Sequence, residues 1–352
     1  MSGALVNLVS KGVQDAYITG DPQVSFFRQS YKRHTNFSMK AVELNKVGTC
    51  APNGEFRCRL SDIGDLVDYI WLDVETVGSG AEDNVYTSHD NSTEFELRIG
   101  GKTVDRQDAF YANKLWSKFL ATNPTKNVVP SSLSGTAAAF FPLHFFNCDE
   151  STTPLPLVAL QYHECELVIR PGPNAYVGPN GIKVYANAIF LDTEDREWWV
   201  NQTHDLLISQ VQKIPMGQSE CDLSYLNHPV KTLLWGIDTA DTLVTNDVKL
   251  TVNGVDVYDS AMPAKFFTTV QCYNQCDACP NASTFDDTSL YMQSFARHPN
   301  RHQPTGSLNF SRLDNAVMKY TMSGGTYPSW IYGVNYNILT IKSGMGGVKF
   351  SN

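Results

Sequence analysis

Three cysteines in CYNQCDAC (Cys272, Cys276 and Cys279) have the spacing best suited to chemistry in this chain. Three thiolates could serve zinc, but a structural zinc site takes four ligands. No fourth cysteine follows at zinc-ribbon spacing, so His298 or His302 would have to complete the shell. Free thiols in a surface loop are the expectation, with a disulfide within the loop as the product of exposure to air. The other cysteines (Cys50, Cys58, Cys148, Cys165 and Cys221) are too few for a disulfide scaffold in a chain of 352 residues and read as small buried apolar groups. His163 and Cys165 share one face of a strand-like segment. That spacing suits a metal or a Cys–His pair, although a core histidine beside a buried thiol is the commoner arrangement. RHPNRHQP (297–304) holds Arg297, His298, Arg301 and His302 in a proline-flanked loop. Its arginines could bind an anion; structural hydrogen bonds at a subunit contact are the expected role. No GxSxG, HExxH, P-loop or dinucleotide fingerprint occurs. No catalytic residue and no cofactor is therefore expected.

A basic stretch, SFFRQSYKRHTNFSMK (25–40), stands out in an acidic chain of net charge −9. From Arg28 its even positions are all polar, and Phe27, Tyr31, Phe37 and Met39 fall on the odd ones. Period-two alternation predicts a strand with a wet, basic face and an aromatic face turned to a core. Nucleic-acid binding needs a basic domain face, which the overall charge does not supply. Only 18% of residues are charged, against roughly 25% in ordinary soluble chains. Some surface must therefore be neutral or apolar, a hint of burial against other copies. The segment MSGALVNLVSKG lacks a basic n-region and a long apolar core, so no secretory signal is expected. The longest apolar run, TAAAFFPLHFF (136–146), is broken by Pro142 and His144. The sequons at Asn36, Asn91, Asn201, Asn281 and Asn309 are then expected to go unread by secretory glycosylation.

The elements that must position these residues are mostly strands. GDLVDYIWLDVETV (64–77), LPLVALQYHECELVIR (155–170) and GIKVYANAIFLDTED (181–195) are rich in β-branched and aromatic residues. In the second of these, Cys165, Leu167 and Ile169 point one way and Glu164 and Glu166 the other. Helical periodicity is confined to DAFYANKLWSKFLA (108–121) and part of ALVNLVSKGVQDAY. ELRIGGKTVDR (96–106) reads as a hairpin turning at Gly100-Gly101, and KLTVNGVDVYDS (249–260) is its counterpart at Gly254. Upstream, DYIWLDV and TLLWGID set Trp71 against Trp235. Two matches in one order predict two similar β domains in tandem, with the link near 197–215. The class is all-β: two tandem jelly-roll sandwiches with short helices in loops.

Several segments resemble the double jelly-roll major capsid proteins of nucleocytoplasmic large DNA viruses. GVQDAYITGDPQVSFFRQSYKRHTNFSMK (12–40) resembles that family's N-terminal signature, and LPLVALQYHECELVIR and AIFLDTEDREWW (188–199) its first-domain strands and domain end. HDLLISQVQ (204–212) and NHPVKTLLWGI (227–237) resemble its link into the second domain. SFARHPNRHQPTGSLNFSRLDN (294–315) and VNYNILTIKSGMGGVKFSN (334–352) resemble its later segment and closing strand. CYNQCDACPNASTFDD (272–287) matches no family pattern.

The resemblance implies a structural protein of the virion, assembled in the host cytoplasm into homotrimeric, pseudo-hexagonal capsomers that tile an icosahedral shell. It implies an arm over 1–24, a first roll over 25–212 and a second over 213–352. Leu5, Val6, Leu8 and Val9 would be the docking strip of the arm. The implied partners are other copies of the chain, neighbouring capsomers, minor capsid proteins and the internal viral membrane, with no nucleic acid. A minor or penton-associated capsid protein of the same fold is the alternative, separable by copy number in virions. A carbohydrate-binding jelly roll outside any virus is a third reading, which a glycan array would test.

Overall fold

In a computed structural model the described residues are 12–74, 92–123, 125–126, 139–149, 152–173, 182–237, 244–277, 290–323 and 328–351. The chain divides into a small unit, Met1–Asn36, and a large one, Phe37–Asn352. The small unit contains one short helix, α1 (Asp15–Thr19), and its described residues are exposed throughout. Val13, Tyr17, Ile18, Phe26, Phe27 and Tyr31 all face solvent. The strand expected over 25–40 begins only at Phe37. Between Phe27 and Phe37 the supposed inner face carries Gln29, Arg33 and Thr35. That leaves too little continuous apolar surface to hold the segment in a sheet.

The large unit is built twice over. Its first half contains β1 (Phe37–Glu43), β2 (Lys46–Gly48), β3 (Phe56–Arg59), β4 (Leu66–Val74), β5 (Glu94–Ile99), β6 (Lys102–Asp108), β7 (Ala139–Pro142), β8 (Leu155–Pro156), β9 (Cys165–Arg170) and β10 (Ile182–Leu191). These form sheets of order β1-β10-β4-β7 and β2-β3-β9-β5-β6. The second half contains β11 (His204–Pro215), β12 (Glu220–Asp222), β13 (Pro229–Gly236), β14 (Val244–Val252), β15 (Val255–Asp256), β16 (Met262–Pro263), β17 (Leu290–Ser294), β18 (Leu308–Asn309), β19 (Ala316–Ser323), β20 (Trp330–Lys342) and β21 (Met345–Val348). Its sheets run β11-β20-β13-β17 and β12-β19-β14-β15. The two orders correspond strand for strand from β3 and β12 onward, whereas β2 and β21 have no counterpart. Even the short β8 and β18 recur, each paired to the equivalent strand (β4 or β13) and followed by a single 3₁₀ turn.

The hairpin repeat is borne out down to its turns. Gly100 and Gly101 have φ of 57° and 78°, and Asn253 and Gly254 have 48° and 78°. A two-residue turn between twisted strands needs positive φ at both positions, which glycine and asparagine supply at least cost. Each hairpin leads into a helix with wide, π-type turns: α2 (Tyr111–Leu120) in the first roll and Phe266–Val270 in the second. The latter continues as Gln271–Gln275, and the two segments together are called α5 below. Such turns are rare in proteins, so their recurrence at one place in both rolls strengthens the duplication. Two further helices, α3 (Phe146–Asp149) and α4 (Thr193–Asn201), lie between them in sequence.

Three sequence readings shift by small amounts. The Trp71–Trp235 match is off by one residue. Trp235 lies in the core of the second roll with Leu233, whereas Ile70 and Leu72 face the core of the first and Trp71 points outward. Side chains alternate with period two, so a slip of one reverses the face. The long strand expected over 155–170 is interrupted. Pro154 and Pro156 lack N–H donors for a ladder, and residues 157–164 turn away before β9 resumes. Within β9 the expected facing holds: Cys165, Leu167 and Ile169 are buried. Finally, the switch between rolls is α4. Asp192 caps it by accepting from Thr193 N, and buried Asp65 ties it to the first roll by accepting from Arg196 Nε at 2.8 Å. All of His204–Pro215 then pairs with β20, so a boundary at 212/213 would cut a strand of the second roll.

Candidate assembly surfaces

Among the described residues a third buried cluster, outside the two roll cores, forms the joint between the rolls. α2 leaves the first roll and lies on the outward face of the β11-β20-β13-β17 sheet. Phe110, Tyr111, Leu115, Trp116, Phe119 and Leu120 pack there against Leu234, Leu290, Met292, Tyr332 and Val334. YANKLWSKFL is buried at every position but Lys114, with polar Asn113, Ser117 and Lys118 included. Its four polar residues in ten read as an ordinary one-sided helix, so the sequence did not announce this joint.

Buried charge locks this joint. The Asp108 carboxylate accepts from Lys213 Nζ at 2.8 Å, Tyr332 Oη at 2.6 Å and Tyr111 N at 2.8 Å. Burial pushes Asp108 up, while Lys213 and its other donors pull it back. Asp105 accepts from Val211 N at 2.9 Å across the joint and from the Gln107 amide at 2.7 Å. Burial raises its carboxyl to about 7 against those donors. Asn300, in the RHPNRHQP loop, donates to Ala121 O at the end of α2.

The outward face of the β2-β3-β9-β5-β6 sheet is a charged lattice. Glu96 is fully buried beneath arginines: Arg98 Nε donates to it at 2.9 Å and Arg170 at 2.8 Å, and the Thr103 hydroxyl donates as well. Burial alone would raise Glu96, but these donors overcome it and hold the carboxyl near 2. Arg170 also binds Glu55, which pairs in turn with Arg57. The charges of this face are paired with one another within the chain.

The residues singled out for chemistry do not converge. Cys272 is buried and disulfide-bonded, Cys276 is free and half-buried, and Cys279 lies outside the described residues. Among the described residues no group of three His, Cys, Asp or Glu side chains is placed to hold a metal. Burial pushes the Cys165 thiol up to about 12, and His163 sits in the preceding loop with Nδ1 2.9 Å from Gly346 O. Arg301 is bound by Asp277 at 2.7 Å, so this arginine is already engaged by a carboxylate. Leu5, Val6, Leu8 and Val9 lie outside the described residues. The bare faces are elsewhere: the outward side of the β1-β10-β4-β7 sheet around Met39, Trp71 and Tyr185, and the outer side of α5 at Val270 and Tyr273.

Comparison with known proteins accounts for this architecture. Residues 25–201 match the model of the major capsid protein N-terminus, and residues 237–347 that of the large eukaryotic DNA virus major capsid protein. The chain is 31% identical to the major capsid protein of Pyramimonas orientalis virus and 28% to that of Paramecium bursaria Chlorella virus 1, each over the whole of both chains. Its fold matches the crystal structure of the latter virus's VP54 at a TM-score of 0.78 and 23% identity, covering 93% of this chain and all of that one. The Faustovirus major capsid protein matches at 0.65 and 12% identity, over 95% of each chain. A double jelly roll with matches along both halves belongs to the major capsid proteins of the large eukaryotic DNA viruses.

Proposed function

We propose that three copies of this chain form a pseudo-hexagonal capsomer and that capsomers tile the icosahedral shell of a large DNA virus. One observation carries this reading: the roll occurs twice in one chain, with the same strand order and the same helix after the same hairpin. Three chains then present six similar modules, and a threefold ring can fill a sixfold lattice position. The partners are further copies within the capsomer, then neighbouring capsomers. The N-terminal unit, with its exposed Tyr17, Ile18, Phe26 and Phe27, serves as an arm that neighbours or minor capsid proteins cover at the inner face, near the internal membrane. Leu5, Val6, Leu8 and Val9 extend that apolar strip in sequence. The rolls act as rigid modules on either side of α4. The protein works in the virion after assembly in the host cytoplasm, through shape and contact rather than catalysis, and it engages no nucleic acid.

The test is the solution mass of the purified chain by light scattering after size exclusion. A species at three times 39.1 kDa with a hexagonal outline in negative stain is the expected result. A chain that stays monomeric at high concentration overturns the capsomer reading.

A further inference from the structure

The joint inside the chain has a bare counterpart. In the second roll Leu234 lies opposite Tyr332 and Met292, and Lys213 opposite Tyr332. In the first roll Trp71 lies opposite Tyr185 and Pro142, and Glu43 opposite Tyr185. The registers make Trp71 the counterpart of Leu234, Tyr185 of Tyr332, and Glu43 of Lys213. Yet the second-roll face is covered by α2, whereas the first-roll face is open. Met39 is 59% exposed, and Trp71 and Tyr185, stacked with ring centroids 5.6 Å apart, are only half-buried.

The covering helix also has a counterpart. Aligning Ala109 with Ala264 puts Ala112 and Phe267 in register, and each lies in the core of its own roll. Lys265 then stands for Phe110, Val270 for Leu115 and Tyr273 for Lys118. Where α2 is buried, α5 shows its outer side to solvent, with Val270 39% and Tyr273 83% exposed.

Charge is reversed between the two. Inside the chain the edge strand β11 brings the cation, Lys213, and the residue ahead of α2 brings the anion, Asp108, at 2.8 Å. On the bare pair the edge strand β1 brings an anion, Glu43; the counterpart of Asp108 is Pro263, and the cation is Lys265, two residues further on at the start of α5. Both charged residues are exposed, and neither has an ion pair among the described residues. Complementary charges at an interface fix partner and register.

We propose that α5 of one copy docks on the Met39–Trp71–Tyr185 face of the next, repeating between chains the helix-on-sheet joint made within each chain, with Glu43 facing Lys265. This contact is head-to-tail, second roll to first, so three copies close a ring in which internal and external joints alternate. The inference rests on the trimer reading and names the surface that builds it.

The test compares the wild type with Glu43→Lys, Lys265→Glu, the double reversal and Tyr273→Asp, by light scattering over a dilution series. All three positions are exposed, and thermal melts check that the fold survives. Each single reversal is expected to raise the concentration at which half the chains are trimeric by about tenfold or more. Tyr273→Asp does the same, and the double reversal restores assembly. A wild-type trimer that all four variants match refutes this surface and leaves the trimer standing. A wild type that never exceeds one chain mass refutes the trimer itself.

Discussion

Replacing Asp108 with alanine tests whether buried charge holds the two rolls together. The carboxylate is 2% exposed and serves three donors: Lys213 Nζ, Tyr332 Oη and Tyr111 N. Truncating one member of a buried pair costs about 3–5 kcal/mol, because the partner is left charged and unpaired. Lys213 is 24% exposed and rests 4.4 Å from the Trp330 ring, so it can turn to water. Tyr111 N and Tyr332 Oη have no such exit, and each buried donor left without an acceptor costs about 1–3 kcal/mol. The expected loss is about 4 kcal/mol for Asp108→Ala, and roughly half that for Asp108→Asn, which still accepts one donor. Urea unfolding followed by tryptophan fluorescence and by circular dichroism measures it. In a cycle with Lys213→Met, a coupling of about 2 kcal/mol belongs to the pair. The joint reading fails if Asp108→Ala costs less than about 1 kcal/mol or the coupling is zero.

Three further outcomes are expected. Asp105 has a folded value near 7 against 3.8 for a free carboxyl, so the folded state holds a proton that the unfolded chain lacks between those limits. Its contribution makes stability fall as pH rises from about 4 to about 7, and Asp105→Asn flattens that stretch of a urea-midpoint profile. Glu96 works in the opposite sense. Its folded value near 2, against 4.5, gives stability that is complete above 4.5 and lost toward pH 2, and Glu96→Gln removes that acid limb. Burial pushes the thiols of Cys58, Cys148, Cys165 and Cys221 up to about 12, so a thiol reagent at pH 8 should leave these four unmodified in the native protein and reach them on unfolding. Rapid native labelling of these four would contradict their burial.

Local pattern carried much of the fold. The strands β4 and β10, the alternation in β9 and the glycine turns at 100–101 and 253–254 all appear where the sequence puts them, because each is decided within a few residues. The helix over Tyr111–Leu120 was legible for the same reason. What failed depended on distant partners. SFFRQSYKRHTN has strand-like alternation but no strand to pair with before Phe37. HDLLISQVQ belongs to the second roll because β20, more than a hundred residues later, pairs with it along its full length. The tryptophan match located the right strands and the wrong faces, since identity of residue says nothing of parity within a strand. The joint was least visible, because Asp105, Asp108, Lys213 and Tyr332 come from three separate segments and none stands in a motif.

The helix-on-sheet joint within the chain has a kinetic consequence. Because α4 tethers the two rolls, that contact forms at the high effective concentration of an intramolecular event and owes nothing to dilution. A contact of the same kind between chains must also offset the loss of translational and rotational freedom, about 4–15 kcal/mol. A shell built from such units should therefore come apart along chain boundaries, releasing intact two-roll subunits long before any roll parts from its covalent neighbour.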